Sequence, residues 1–216
     1  MQHIKKPNFE IEKKYHNFRV CGIDEVGRGP VAGPVVACCA VLDQQHYPSD
    51  INDSKKLSKK QRQKILQELI DLEKQGYVKY AIGVVDHKII DEINILQATK
   101  QAMLLSYQNL AEKYQDYPQV ILVDGNMVPF AKHGNITEIM PIIQGDQHSL
   151  SIAAASIIAK EWRDNFMMQM DEKFPHYGFA QNAGYPTKLH RDAIDKYGIC
   201  EIHRKSFAPI NAKLPC

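Results

Sequence analysis

An α/β fold, a mixed β-sheet flanked by helices on both faces with a C-terminal helical segment, is what this sequence predicts. Three observations carry that reading. Strand-like apolar runs cluster early in the chain and then alternate with helical patterns, the order expected of a sheet covered on two sides. The run 120–123 is continuously apolar and ends at Asp124-Gly125-Asn126, which suits a strand buried on both faces. The segment 152–159 is apolar almost all round within a long helical stretch, so it belongs in the core.

The elements follow in order. Residues 1–18 are polar and mixed in charge and read as a loosely attached leader, leaving 19–216 as a single domain. Residues 18–23 make a first short strand and 35–42 a second, joined by a turn-rich segment over 27–34. Ser58 opens a helix with Gln61 three residues on, the pattern of a capping box. Ile65, Leu66, Leu69, Ile70 and Leu72 give that helix an apolar face, and Gly76 closes it. Residues 77–85 alternate like a strand. A short helix over 86–93 precedes a longer one capped by Asn94, with Ile95, Ala98, Ala102, Leu105 and Leu110 on its buried side. The strand at 120–123 is followed by a short strand over 136–143. The longest helix then runs over 149–174, and a last one over 187–197 stops at Gly198.

With 216 residues, 44% of them apolar and 24% charged, the chain has apolar content for one sizeable core. The longest apolar stretch, 31–42, contains Gly33 and Pro34 and is too short to span a bilayer. The N-terminus lacks the apolar core of a signal peptide. Five cysteines, with Cys38 and Cys39 adjacent and no C-x-x-C pair, do not look like a disulfide framework or a zinc ribbon. The expectation is a soluble, reduced, cytoplasmic monomer with no membrane partner. The formal charge of +2 does not by itself suggest nucleic acid. Split by segment it reads differently: residues 53–64 hold six Lys/Arg and one Asp, and 184–216 hold six basic and three acidic residues.

Acidic residues recur at or just beyond predicted strand ends: Asp24 and Glu25, Asp124, and Asp146 ahead of the long helix. Carboxylates at neighbouring strand ends can converge although distant in sequence. Four of them, without a His or Cys ligand pattern, suit Mg²⁺ or Mn²⁺ rather than zinc. Two such ions can stabilise both the attacking and the leaving oxygen of an in-line phosphoryl displacement. Asp146, close to a helix start, is also expected to be favoured as an anion by the helix dipole. Adjacent strand residues point to opposite faces, so Asp24 and Glu25 share a cluster only if the backbone leaves strand geometry there.

The segment Gly27-Arg28-Gly29-Pro30-Val31-Ala32-Gly33 fails the dinucleotide fingerprint, because its third glycine is one position late and a strand pattern follows. Its glycines instead allow a ligand close to the backbone. In Asp53-Ser54-Lys55-Lys56-Leu57-Ser58, the lysines beside a loop are what phosphate contacts require. Lys188 and Arg191 on the last helix are weaker candidates. The nine histidines show no zinc spacing and read as surface or core residues.

Taken together, six ordered blocks resemble ribonuclease HII, the type 2 bacterial ribonuclease H. They are Gly22-Ile23-Asp24-Glu25-Val26-Gly27-Arg28-Gly29-Pro30, the Asp53 to Ser58 block, Val123-Asp124-Gly125-Asn126, the block from Gly145-Asp146 to Ile157, Gly184-Tyr185-Pro186-Thr187, and His203-Arg204-Lys205-Ser206-Phe207. The resemblance covers nearly the whole chain from about residue 18. It implies a ribonuclease H-like fold whose four metal-binding acids fall on Asp24, Glu25, Asp124 and Asp146. It implies hydrolysis of the RNA strand of RNA–DNA hybrids, and cutting 5′ of single ribonucleotides in duplex DNA, leaving 3′-hydroxyl and 5′-phosphate ends. Gly27, Arg28 and Gly29 are implied to read the 2′-hydroxyl through backbone groups, and Tyr185 to pack on the following sugar. Gln144 departs from the pattern, standing where the family commonly has Lys. Two other readings compete: another two-metal phosphotransferase of the same superfold, which would lack the Gly-Arg-Gly loop and Gly-Tyr-Pro-Thr, and a non-catalytic nucleic-acid-binding module, against which four intact acids argue.

Overall fold

The computed structural model describes residues 6–213. Its strands are β1 (Val20–Val26), β2 (Val35–Leu42), β3 (Val78–Val85), β4 (Val120–Asp124) and β5 (Glu138–Ile142). They form one sheet in the order β3-β2-β1-β4-β5. β1 pairs antiparallel with β2, and β2 with β3, whereas β4 runs parallel to β1 and β5 parallel to β4. The helices are α1 (Lys59–Lys74), α2 (His87–Tyr114), α3 (Leu150–Lys173), α4 (Phe179–Asn182) and α5 (Lys188–Tyr197).

The mixed sheet with helices on both faces is as expected, and β2 shows why its run is uniformly apolar. Val36, Cys38, Ala40 and Leu42 pack with Ile65 and Leu69 of α1 and with Ala153, Ala154 and Ile157 of α3. The alternate residues Val35, Ala37 and Cys39 pack with Ala98, Ala102, Met103 and Leu110 of α2. A strand that is buried on both faces has no polar side to show. Gly22 lets α3 lie directly on β1, since a Cβ there would stand 2.3 Å from the backbone N of Ile152.

The caps read from sequence are formed. Ser58 and Gln61 make the capping box of α1. Asn94 breaks the helical geometry of α2 at φ 66°, ψ 164°, and its side chain caps the second half through the amides of Leu96 and Gln97. Ser149 and Thr187, expected as the first residues of their helices, stand one residue ahead as the N-caps of α3 and α5.

Two features differ from expectation. Short α4 carries no periodic signal in the sequence. The segment 1–18 is not a loose leader over its described part, although its first five residues lie outside the described ones. Phe9 joins the core on the α1/α3 face. Glu12 is buried, and its carboxylate accepts hydrogen bonds from the Ser149 hydroxyl (2.6 Å) and the Ser151 amide (3.2 Å). An acid is favourable at the start of a helix, so a polar-looking segment is held by the first turn of α3. A further apolar cluster, including Val31, Met167, Phe179, Ile194 and Ile202, fastens the C-terminal segment to the loop after β1.

Candidate active site

The acids assemble where β1 and β4 end side by side. Asp24 is buried, and its Oδ1 accepts the Glu25 amide at 2.7 Å. Asp124 is the last residue of β4, and its Oδ1 accepts the Gly145 amide at 2.6 Å. That bond draws the turn containing Asp146 against the strand end. Gln144, the departure from the family pattern, precedes this turn in a left-handed conformation (φ 54°) and is exposed. Asp146 is 2% exposed, and no hydrogen-bond donor reaches its Oδ2. The nearest cation is Lys55, whose Nζ stands 3.7 Å from that oxygen.

Strand geometry persists through the acidic pair. Asp24 is in register with Cys38, Glu25 with Ala37 and Val26 with Val36. The departure comes only at Gly27, with φ +97°. Even so, the charge of Asp124 reaches both Asp24 and Glu25, so the pair shares the cluster without leaving strand geometry, and Glu25 also meets Arg28, whose Nη1 lies 3.4 Å away.

Burial first, and like charge second, raise the carboxyl pKa values. Burial pushes Asp24 well above the usual carboxylate range, with Glu25 and Asp124 adding to it against a hydrogen bond from Ser156. Glu25 is raised by burial and by Asp124, with Arg28 opposing. Asp146 is raised by burial, Asp53 and Asp124, with Lys55 opposing. The helix dipole thus does not govern Asp146: the start of α3 is met by Glu12, and burial beside other acids decides the direction.

Asp53 is a member of this cluster that the strand-end argument missed. It is buried, accepts the Lys55 amide (2.9 Å) and pairs with Lys56 at 3.6 Å. The signal was its place directly before Ser54-Lys55-Lys56, where the lysines drew the reading. Burial lowers the Lys55 pKa, but Asp146, Asp24 and Asp53 outweigh this and hold it above the usual value. Lys188 pairs with Asp192 on the surface, and Arg191 donates to the Pro186 carbonyl at 2.6 Å.

An oxygen-only donor set, mutually raised carboxyls and an orphaned buried Asp146 oxygen fit hard divalent cations. Among the described residues, however, no three His, Cys, Asp or Glu side chains already stand as a ready-made cage. An ion would have to draw these carboxylates together.

The loop after β1 is built differently. Buried Arg204 donates to the carbonyls of Gly27 (2.6 Å), Arg28 (3.2 Å), Pro30 (2.7 Å) and Gly33 (2.9 Å). Buried Arg163 donates to those of Ala32 (3.0 Å), Pro34 (3.0 Å) and Ala183 (2.9 Å). Burial lowers their pKa values to about 9 for Arg204 and about 10 for Arg163, still cationic at neutral pH. Six of the seven carbonyls from residue 27 to 33 are bonded inward, that of Val31 to the Arg204 amide, and among the described residues the exposed Arg28 and Gly29 amides have no hydrogen-bond partner. Tyr185, 46% exposed, lies against this loop: a Cβ on Gly29 would be 3.2 Å from its ring. Neither arginine stands out by its neighbours in the sequence, although Arg204 lies inside one of the six blocks.

A mixed sheet of this order, with carboxylates gathered at the ends of two adjacent parallel strands, defines a hydrolytic nuclease of the ribonuclease H class. The family model described as Ribonuclease HII matches residues 21–210. Ribonuclease HII of Rickettsia akari is 49% identical over 197 residues, which is 91% of this chain and 95% of that protein. Ribonuclease HII of Macrococcus caseolyticus is 45% identical over 212 residues, 98% of this chain and 75% of that protein. Among solved structures, the ribonuclease H2 of Pyrococcus horikoshii matches with a TM-score of 0.72 at 26% identity, covering 90% of this chain and 96% of that one. The Mn²⁺ complex of Bst-RNase HIII shares the fold, with a TM-score of 0.69 at 20% identity over 90% of this chain and 68% of that one. This chain belongs to the ribonuclease HII family. Among the described residues no helix is long and apolar enough to cross a membrane.

Proposed function

We propose that this protein hydrolyses the RNA strand of RNA–DNA hybrids and nicks duplex DNA on the 5′ side of a single embedded ribonucleotide, leaving 3′-hydroxyl and 5′-phosphate ends. The observation that carries the reading is the juxtaposition of an acidic strand-end cluster with a loop that has six of its seven carbonyls tied inward. One region suits phosphate chemistry through cations, and the other offers backbone donors to a sugar hydroxyl. The 2′-hydroxyl is the group that separates RNA from DNA at a site.

In this reading Asp24, Glu25, Asp124 and Asp146 hold two divalent ions during turnover. Mg²⁺ or Mn²⁺, when bound, supplies water activation and neutralises charge on the leaving 3′-oxygen. The Mn²⁺ complex of a protein sharing the fold supports manganese as one choice. Arg28 and Gly29 present amides to the ribose, and Gly27, bonded to Arg204, sets the turn. Tyr185 packs against the next sugar. Lys55 and Lys56 exchange their Asp146 and Asp53 contacts for phosphate oxygens. Gln144 brings no cationic contact to the phosphate at that turn. The expected setting is the cytoplasm, with the protein working as a monomer on DNA that carries ribonucleotides.

The test is duplex DNA with one ribonucleotide, incubated with Mg²⁺ or Mn²⁺ and then with chelator. A metal-dependent nick 5′ of the ribonucleotide is expected. Absence of that nick, or an equal nick in all-DNA duplex, refutes the reading.

A further inference from the structure

His190 and His203 are buried, 0% and 1% exposed, and their Nε2 atoms are 3.0 Å apart. His190 Nδ1 lies 2.9 Å from the carbonyl oxygen of Tyr185. His203 Nδ1 faces the amide of Cys200 at 2.9 Å, with the Cys200 Sγ and carbonyl oxygen each 3.2 Å away. Two rings from separate elements thus join the segment after α5 to the backbone of the exposed tyrosine.

The protons on this chain are set from its Tyr185 end. A carbonyl oxygen only accepts, so His190 must carry its hydrogen on Nδ1. A neutral His190 then has a bare Nε2, which must receive the Nε2 hydrogen of His203. His203 in turn has a bare Nδ1, and the Cys200 amide fills it. The direction therefore runs from His203 through His190 to Tyr185, with the Cys200 amide the shortest of the contacts at the far end.

The surroundings favour neutral rings. Tyr177 and Phe179 wall them in, with ring centroids 5.0 Å from His203 and 5.2 Å from His190 respectively. Burial lowers the His203 pKa to about 4, and His190 itself adds to the shift. Burial lowers His190 as well, against the Tyr185 carbonyl.

We propose that His190 and His203 form a directional hydrogen-bond relay that positions Tyr185, and thereby the fit of the duplex at a single ribonucleotide. The proposal rests on the role given to Tyr185 above and adds the residues that hold it. The same carbonyl also accepts the Thr187 amide at 2.8 Å, and the Tyr185 amide donates to Asn182 at 2.9 Å. The backbone of Tyr185 is therefore pinned on both sides, and His190 supplies the side-chain contact. His190 and His203 are positioning residues, since neither is placed against substrate.

The experiment measures kcat and KM on duplex DNA with one ribonucleotide for the native chain, Tyr185→Ala, His190→Ala, His190→Asn and the Tyr185→Ala/His190→Ala double variant. Loss of one buried hydrogen bond corresponds to about a tenfold fall in kcat/KM for His190→Ala, carried mainly by KM. His190→Asn keeps a donor near the Nδ1 position and recovers most of it. The double variant is no worse than Tyr185→Ala alone. Long-range ¹⁵N–¹H spectra of the intact native protein at neutral pH show His190 protonated on Nδ1 and His203 on Nε2.

Native kcat/KM in His190→Ala, losses that multiply in the double variant, or the opposite tautomers overturn the proposal. If His190→Ala does not fold, His190→Asn and His203→Gln, which keep one donor each, carry the comparison. If Tyr185→Ala itself is fully active, the role of Tyr185 fails, and the relay loses its function with it. Full loss in Tyr185→Ala beside native rates in His190→Ala instead refutes the relay and leaves Tyr185 in place.

Discussion

The acidic strand ends and the loop after β1 lie next to each other in the chain and are built on opposite principles. In the loop, polar groups are over-provided. Arg163 and Arg204 direct seven hydrogen bonds at backbone carbonyls, and the His190–His203 pair closes the far side. At the strand ends polar groups are under-provided: three carboxyls are raised and one buried oxygen has no donor. A surface that discriminates by shape gains from being rigid before substrate arrives. A surface that handles cations and phosphate gains from unmet negative charge, which only an ion relieves.

The sharpest way to break that comparison is at the acids. Asp124→Asn keeps an oxygen to accept the Gly145 amide but loses the charge. Turnover with Mg²⁺ is expected to fall by about three orders of magnitude or more, since several kcal/mol of charge stabilisation go with the ligand set. Circular dichroism and melting are expected to remain near native. Near-normal rates would place the chemistry elsewhere.

Next in size is Arg204→Ala. It strips the donors from four loop carbonyls and opens a cavity, and each buried acceptor left unsatisfied costs about 1–3 kcal/mol. A large drop in the denaturant midpoint is expected, with Arg204→Lys intermediate because an ammonium cannot reach four acceptors at once. An unchanged midpoint would show that the loop does not depend on this guanidinium.

Tyr185→Ala tests the surface that the loop supports. The ring is 46% exposed, so stability should change by under about 0.5 kcal/mol. Activity at a single ribonucleotide is expected to fall by about tenfold, as for loss of one stacking contact. A stability loss without an activity loss would make Tyr185 a packing residue.

What the sequence disclosed follows the same division. The strands and caps were legible because they are local: the β2 run, Ser58 with Gln61, and Asn94 each state their role within a few residues. Asp24, Glu25, Asp124 and Asp146 were legible because strand ends are, and because blocks around them match a family. Arg163 and Arg204 were not, since a buried arginine bonded only to carbonyls leaves no charge partner in the sequence. Glu12 looked like part of a loose, polar segment because its partners Ser149 and Ser151 lie far along the chain. The His190–His203 pair was read as ordinary surface or core because metal spacing was the pattern sought. Asp53 was overshadowed by the lysines that follow it.

The smallest expected effect is also the one that separates the two regions most cleanly. Asp24 is buried, and burial with its neighbours holds its pKa well above the usual value of 3.8. Between the ordinary carboxylate pKa and that raised value, the folded protein binds more protons than the unfolded chain. Stability of the metal-free protein therefore falls as pH rises through this window and is recovered on acidification, until other groups titrate. Asp24→Asn removes the charge and keeps the shape. At neutral pH without divalent ions its melting temperature should exceed that of the native chain, with a gain of about 0.5–2 kcal/mol, while activity is lost. Mg²⁺ should raise the melting temperature of the native chain and do less for the variant, because a ligand that binds the folded state stabilises it by mass action. An Asp24→Asn protein that melts below native in chelator would mean that the carboxylate is satisfied where it stands. The contrast between an unrelieved acidic site and a loop held by its carbonyls would then fail at its central residue.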